Sequence, residues 1–314
     1  MHVFGNTSNK KVTVLISGGS GLIGRYLTSL LLGEGYTVSH LSRKQDQFGR
    51  VRVFRWDPDR GILNPAALEG IDYIIHLAGA NIGERRWTKA RKAEIINSRV
   101  ESAKLLHRVV NENGISLRAY ISASATGYYG AVTSEHIYTE DDSPADDFLG
   151  TTCRLWEDAA ALFSGSGIRT VKIRTGVVME KNDSALKRMM VPARFGLFPV
   201  VAGGKQYMPW IHISDLCNIY LKALEDSSMT GAYNAVAPEH ITHREFMSAL
   251  ASAMGKREFY PPVPAFLLRA ALGQMADVVV KGSRVSSGKI MSEGFSFRYP
   301  GIKGALENIM GTGQ

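Results

Sequence analysis

The sequence predicts an α/β protein, a doubly wound parallel sheet with a smaller, mostly α C-terminal lobe. Three observations predict it. Short β-branched runs alternate with helix-periodic stretches through the first half of the chain. The first of these runs ends in a turn carrying Gly18, Gly21 and Gly24, which opens directly into a helical pattern. Beyond about residue 178 the alternation yields to loops marked by Pro and Gly. Strands separated by helix-length segments require crossover connections, and therefore a parallel sheet covered on both faces.

Taken in order, Val12–Ile16 is the first strand. Leu22-Ile23, Tyr26-Leu27 and Leu30-Leu31 then recur at helical spacing until Gly33 and Gly35 stop the helix. Strands follow at Tyr36–Leu41, Arg52–Arg55 and Tyr73–Leu77, then a long helix from about Arg86 to Asn111. A fifth strand is expected at Ala119–Ser122, a helix at about Thr151–Phe163, and a sixth strand at Thr170–Arg174. In the second half, Pro192, Gly196, Pro199, Gly203-Gly204 and the run Pro261–Pro264 mark loops. Helical stretches lie at Asp215–Leu224, Arg244–Met254 and Ala265–Leu272. A nucleotide-binding unit is expected over residues 11–178, with segment 208–236 returning to it and contributing a strand at Ala232–Ala235. Residues 179–207 and 237–314 would form the substrate lobe.

Composition narrows the function. Hydrophobic residues at 45% and charged residues at 21% exclude collagen-like and broadly disordered chains. Cys153 and Cys217 belong to no CxxC pair, which excludes a disulfide framework or a zinc site; no metal is expected. Two lone cysteines and a polar start, Met1 to Lys11, point to the cytoplasm. No apolar run reaches the ~20 residues of a membrane span, so no membrane partner is expected. The net charge is +8, but the basic residues are scattered. The group Arg85-Arg86, Lys89, Arg91-Lys92 reads as a solvated helix face. Nucleic acid is not expected, because aromatics do not interleave with these charges. A phosphorylated small molecule is the simpler anionic partner.

The glycine turn has a mechanical logic. Gly18 allows a tight bend, Gly21 lets backbone approach a pyrophosphate, and Gly24 lets the helix pack closely on the strand. Ser20, Leu22 and Ile23 complete the turn and the helix start, whose unpaired N–H groups suit phosphate. The second strand ends Leu41-Ser42-Arg43-Lys44, without the carboxylate that reads a ribose 2′-hydroxyl. Ser42 and Arg43 suit a 2′-phosphate instead, so NADP(H) is the expected cofactor.

Ser17–Gly24, His76-Leu77-Ala78-Gly79 and Ile121-Ser122-Ala123-Ser124-Ala125-Thr126 resemble the cofactor loop and the segments after the fourth and fifth strands of the extended short-chain dehydrogenase/reductase superfamily. That superfamily includes the nucleotide-sugar epimerases and dehydratases. The chain is similar, more narrowly, to an atypical branch labelled epimerase-family proteins or cell-division inhibitors. Trp87-Thr88, Ser98-Arg99-Val100, Trp156-Glu157, Arg174–Val178, Trp210–Asp215 and Gly231–Asn234 carry that likeness, which runs from about Lys11 to Leu306. It implies a Rossmann-type fold, a small-molecule substrate with nucleotide sugars among the candidates, and a homodimer. It also implies cofactor contacts from Leu77, Ala78, Gly79, Ser98, Ser122 and Ala123, and a catalytic Ser124.

Typical members pair that Ser with a YxxxK motif. Here, alignment on Glu157 puts Leu149 at the Tyr position and Cys153 at the Lys position. Tyr128 is the first substitute for the acid/base group, with Tyr129, His212 and Cys153 behind it. Trp87, Tyr207, Trp210 and His212 are expected to wall the substrate, with Gln206 and Arg194 as polar contacts. Two functions follow: an NADP(H)-dependent oxidoreductase or epimerase-like enzyme, or an NADP(H)-sensing protein that has lost turnover and acts on a protein partner.

Overall fold

The computed structural model describes residues 11–44, 49, 51–181, 184–257 and 259–311. The polar first ten residues lie outside them. The first half contains β1 (Thr13–Ser17), α1 (Leu22–Gly33), β2 (Thr37–Ser42), β3 (Arg52–Asp57), β4 (Ile62–Leu63) and β5 (Tyr73–His76). After these come α2 (Lys89–Glu112), β6 (Ala119–Ala125), β7 (Ile137–Tyr138), α3 (Phe148–Gly165) and β8 (Thr170–Thr175). The second half begins with β9 (Val177–Met179), α4 (Ser184–Ala193), β10 (Val200–Val201), β11 (Trp210–His212) and α5 (Ile213–Glu225). Then follow β12 (Gly231–Ala235), α6 (His243–Ala253), β13 (Pro262–Val263) and α7 (Ala265–Leu272).

Eight strands form one sheet in the order β12-β8-β6-β5-β1-β2-β3-β4. All neighbours are parallel except β3 and β4. The order reverses at β1, between β2 and β5, and a doubly wound sheet opens its ligand crevice beyond the strand ends at such a point. Alternation along the strands splits the core into two layers. Val14, Ile16, Ile75, Ile121 and Val171 face α1 and α5, whose Leu27, Leu31, Leu216 and Tyr220 complete one layer. Leu15, Ile74 and Tyr120 face α2 and α3, meeting Leu105, Leu106 and Phe163. Burial on both faces explains why these strands read as continuous apolar runs.

Helix boundaries depart from periodicity where caps intervene. Thr88 Oγ1 accepts the Arg91 N–H at 3.1 Å, so α2 starts later than Arg86. Asp147 Oδ1 accepts the Gly150 N–H at 2.8 Å, so α3 starts earlier than Thr151. A further core holds Met179, Leu186, Phe198, Trp210, Phe246 and Leu306. Asp215, on α5, accepts the N–H groups of Arg298 and Tyr299, both at 2.9 Å, and fastens the C-terminal segment to the helix packed on the large sheet.

Four buried histidines carry a pH liability. His40, His76, His212 and His243 are each held down to about 4 by burial. Unfolding restores each to about 6.5, so the unfolded chain binds more protons between those values. Stability is full above pH 6.5 and falls as pH drops through the window, by about 1.4 kcal/mol per pH unit for each ring. Urea unfolding midpoints are therefore expected to drop steeply between about pH 7 and pH 5; a flat profile would contradict the neutral assignments.

Candidate functional site

The turn after β1 leaves no space for larger residues. Gly18 has φ +75°, and a Cβ there would sit 2.9 Å from the Ala78 nitrogen and 3.0 Å from the Leu77 carbonyl carbon. A Cβ on Gly24 would meet the Gly18 oxygen at 2.5 Å, so the close approach made here is of the helix to the glycine turn and not to the strand itself. Gly21 caps α1 without any side-chain bond, and the first turn carries no acidic residue. The N–H groups of the first turn thus have no side-chain cap, and no acidic residue of that turn competes for them.

A cleft of about 980 Å³ opens there. Its wall brings together Gly18, Ser20 and Gly21 from the turn, Ser42, Arg43 and Lys44 after β2, Leu77–Ala80 after β5, and Asn97 and Ser98 from α2. Leu22, Ile23 and Gly24 stand behind the wall in the first turn of α1. The β5 end is pinned in place: His76 accepts from Ser17 Oγ at Nδ1 (2.6 Å) and meets Ser102 Oγ through Nε2 (3.0 Å). Ser102 donates its own proton to the Ser98 carbonyl at 2.7 Å, so Nε2 carries the ring proton. Ser98 Oγ in turn accepts the Ala80 N–H at 2.9 Å.

Several residues of the cleft escaped the sequence reading. Arg91 is not part of a solvated face: its side chain is 5% exposed and pairs with Glu84 at 3.0 Å and Glu94 at 2.7 Å, all three lining the cleft. Trp56, Pro58 and Asp59 line it from the β3 end. Asp57, at the end of β3, accepts the Arg60 N–H at 3.2 Å and starts the turn into Pro58.

Beside the cleft, β6 carries the expected catalytic segment, with Ser122 paired in register to His76. Ser122, Ala123 and Ser124 are buried. Ser122 Oγ donates to the Ala123 carbonyl, and Ser124 Oγ donates to Glu157 Oε1 at 2.8 Å. Glu157 receives two further bonds from Arg174, Nε to Oε1 at 2.8 Å and Nη2 to Oε2 at 3.0 Å. Lys172 Nζ stands 3.7 Å away. Arg174 also donates to the Tyr129 hydroxyl at 2.9 Å, and Tyr129 donates to Asn234 Oδ1 at 2.7 Å. Its guanidinium lies 3.5 Å from the centre of the Tyr128 ring. Burial works against the Arg174 charge, and the Glu157 pair more than offsets it, holding the pKa above its ordinary value. Burial lifts the Tyr128 phenol, against which the Arg174 charge pulls down. Cys153, at the Lys position, is a buried thiol pushed up to about 12 and stays protonated.

The expected substrate wall is not assembled. Trp210 is fully buried in the second core. His212 caps α5, its Nδ1 accepting the Ser214 N–H at 3.2 Å, and packs 4.0 Å from Tyr299. Tyr207 bonds Glu135 at 3.2 Å and lines a separate small recess with Met208 and Pro209. Trp87 donates to the Ile82 carbonyl and packs edge-on at 4.8 Å against Phe148, outside the cleft wall. Gln206 is buried, donating to the Val201 and Val279 carbonyls. Among the described residues no group of three or more His, Cys, Asp or Glu is placed to hold a metal ion, and no helix is long and apolar enough to cross a membrane.

A parallel Rossmann-type sheet with its glycine turn directly after β1, the strand at which the order reverses, defines an extended short-chain dehydrogenase/reductase fold. Residues 14–152 match the NAD dependent epimerase/dehydratase family, and residues 263–309 match a domain of unknown function (DUF1731). The mouse epimerase family protein SDR39U1 is 34% identical over 95% of this chain and 99% of its own. The chain belongs to the epimerase family. The human SDR39U1 structure, solved with NADPH, is 32% identical with TM-score 0.86, covering 96% of this chain and 99% of that one. A nucleoside-diphosphate sugar epimerase from Corynebacterium glutamicum is 31% identical with TM-score 0.78, covering 96% of this chain and 58% of that one.

Proposed function

We propose that the chain binds NADP(H) in the 980 Å³ cleft and acts as an oxidoreductase or epimerase-like enzyme on a small carbonyl or hydroxyl compound, with nucleotide sugars as the candidate class. The observation that carries this reading is the uncapped α1 N-terminus behind the Gly18–Gly24 turn, sharing one cleft with Ser42, Arg43 and Lys44. When bound, NADP(H) supplies or accepts the hydride. The turn would hold the diphosphate, Ser42 and Arg43 the 2′-phosphate, and Leu77–Gly79, Ser98, Ser122 and Ala123 the remainder. Residues 11–178 and 208–236 would carry the cofactor, and residues 179–207 and 237–314 the substrate.

Ser124 donates its proton to Glu157, so its lone pairs are turned to receive a substrate hydroxyl. Tyr128 takes up or returns the single proton of the alcohol–carbonyl interconversion, with Arg174 standing in for the missing Lys by favouring the phenolate electrostatically. The human relative solved with NADPH supports the cofactor, and the Corynebacterium protein's description as a nucleoside-diphosphate sugar epimerase supports the substrate class. The lone buried cysteines suit the cytoplasm, and a homodimer remains the superfamily's expected assembly.

The test is hydride transfer with purified protein, NADPH and a panel of nucleotide-sugar carbonyls. Turnover is expected, and Ser124→Ala should lower single-turnover transfer by about 10²–10⁴ without changing NADPH affinity. A second reading, an NADP(H)-sensing protein, is favoured by Leu149 and the protonated Cys153 where the superfamily keeps Tyr and Lys. Cofactor binding with no turnover, together with a protein captured only in its presence, would establish that reading instead. Cofactor choice has a separate measurement. Arg43→Asp should weaken NADPH by about 10–100-fold and NADH far less, the loss of a charge-assisted phosphate bond. Equal losses would show that Arg43 does not read the 2′-phosphate.

A further inference from the structure

Two stretches of the second half, residues 184–205 and 256–272, hold seven Lys or Arg against one Asp or Glu, and so contribute six of the chain's eight net positive charges. The same stretches carry the most exposed aromatic side chains of the described residues: Phe195 at 81%, Phe266 at 67% and Phe259 at 63%. Val191 and Leu267 are also more than half exposed.

The two stretches lie side by side. Leu197 pairs with Phe259 in a parallel bridge, the Phe198 N–H reaches the Phe259 carbonyl at 2.9 Å, and β10 runs parallel to β13. Partners across a ladder project to the same side, which puts Leu197 and Phe259 on one face. Helix α7 begins directly after β13, and none of its eight residues is buried although its sequence is AFLLRAAL. A helix so apolar ordinarily buries a face.

We propose that this surface rests on an anionic lipid bilayer, with Phe195, Phe259, Phe266 and Leu267 entering the headgroup region and Lys187, Arg194, Lys256 and Arg257 meeting lipid phosphates. Interfacial segments combine protruding aromatic and aliphatic groups with basic residues in this way, and they differ physically from a spanning helix. Charge selects the occupant. A second copy seated face to face would bring two sets of cations together, whereas an anionic surface neutralises them.

Cosedimentation of the full chain with vesicles tests this independently of the dinucleotide. Vesicles of equal parts phosphatidylcholine and phosphatidylglycerol are expected to bind it at least about tenfold better than phosphatidylcholine alone, with release at high salt. The double variant Phe195→Ser, Phe266→Ser should lose at least about tenfold of that binding with unchanged melting temperature, since both side chains are exposed. Failure of the wild type to bind anionic vesicles, or equal binding by the double variant, overturns the proposal. So does a dimer in light scattering that the double variant converts to monomer, which would make the face a contact between copies.

Discussion

Gly18→Ala is expected to weaken NADPH binding at least about a hundredfold, a loss of roughly 2.7 kcal/mol. Two independent strains produce it. The backbone at this position has φ +75°, where a Cβ costs about 1–2 kcal/mol. The added methyl would also stand 2.9–3.0 Å from main-chain atoms of Leu77 and Ala78, which cannot swing aside as a flexible side chain would. Relief requires the β1 turn and the β5 end to separate, and these are the two walls proposed to hold the dinucleotide. The loss should appear in calorimetry with both NADPH and NADH, since the turn lies away from the 2′-phosphate. Retention of wild-type affinity by a folded Gly18→Ala protein would remove the turn from the binding site.

Arg174→Met is expected to cost about 3–5 kcal/mol of unfolding free energy, the usual penalty for leaving one member of a buried ion pair bare. Glu157 is 5% exposed, and Arg174 supplies two of its hydrogen bonds. Lys172 at 3.7 Å is the nearest remaining cation. Combining Arg174→Met with Glu157→Gln removes the stranded charge and should recover part of the loss, giving a clear coupling in a double-mutant cycle. The single variant should also raise the Tyr128 pKa, because the cation above its ring disappears. A denaturation curve within about 1 kcal/mol of wild type would mean that the pair is not maintained in solution.

The glycine turn was legible in the sequence because its logic is local. Spacing, a preceding strand and a following helix fall within a dozen residues, and the missing carboxylate after Ser42 can be read from adjacent letters. The alternating strands were legible for a similar reason, since a two-sided core demands continuous apolar runs. Helix starts were less so, because Thr88 and Asp147 act through one hydrogen bond each rather than through periodicity. The cluster around Arg174 was hidden altogether. Its partners Glu157, Tyr129 and Asn234 sit on different elements, as far as 105 residues apart in the Tyr129–Asn234 bond. The aromatic residues misled in the opposite sense. Trp210 and His212 are large and unusual, yet one fills a core and the other caps a helix, and only tertiary packing decides between these fates and a ligand wall.

The grip of Asp215 on Arg298 and Tyr299 has a practical consequence for anyone dissecting this molecule. Ending the polypeptide ahead of those two positions strips a buried carboxylate of both its donors, so deletion of the tail harms the sheet region as well as the tail. Nicking a surface loop between Asp215 and Arg298 should be gentler, because the carboxylate then keeps both donors.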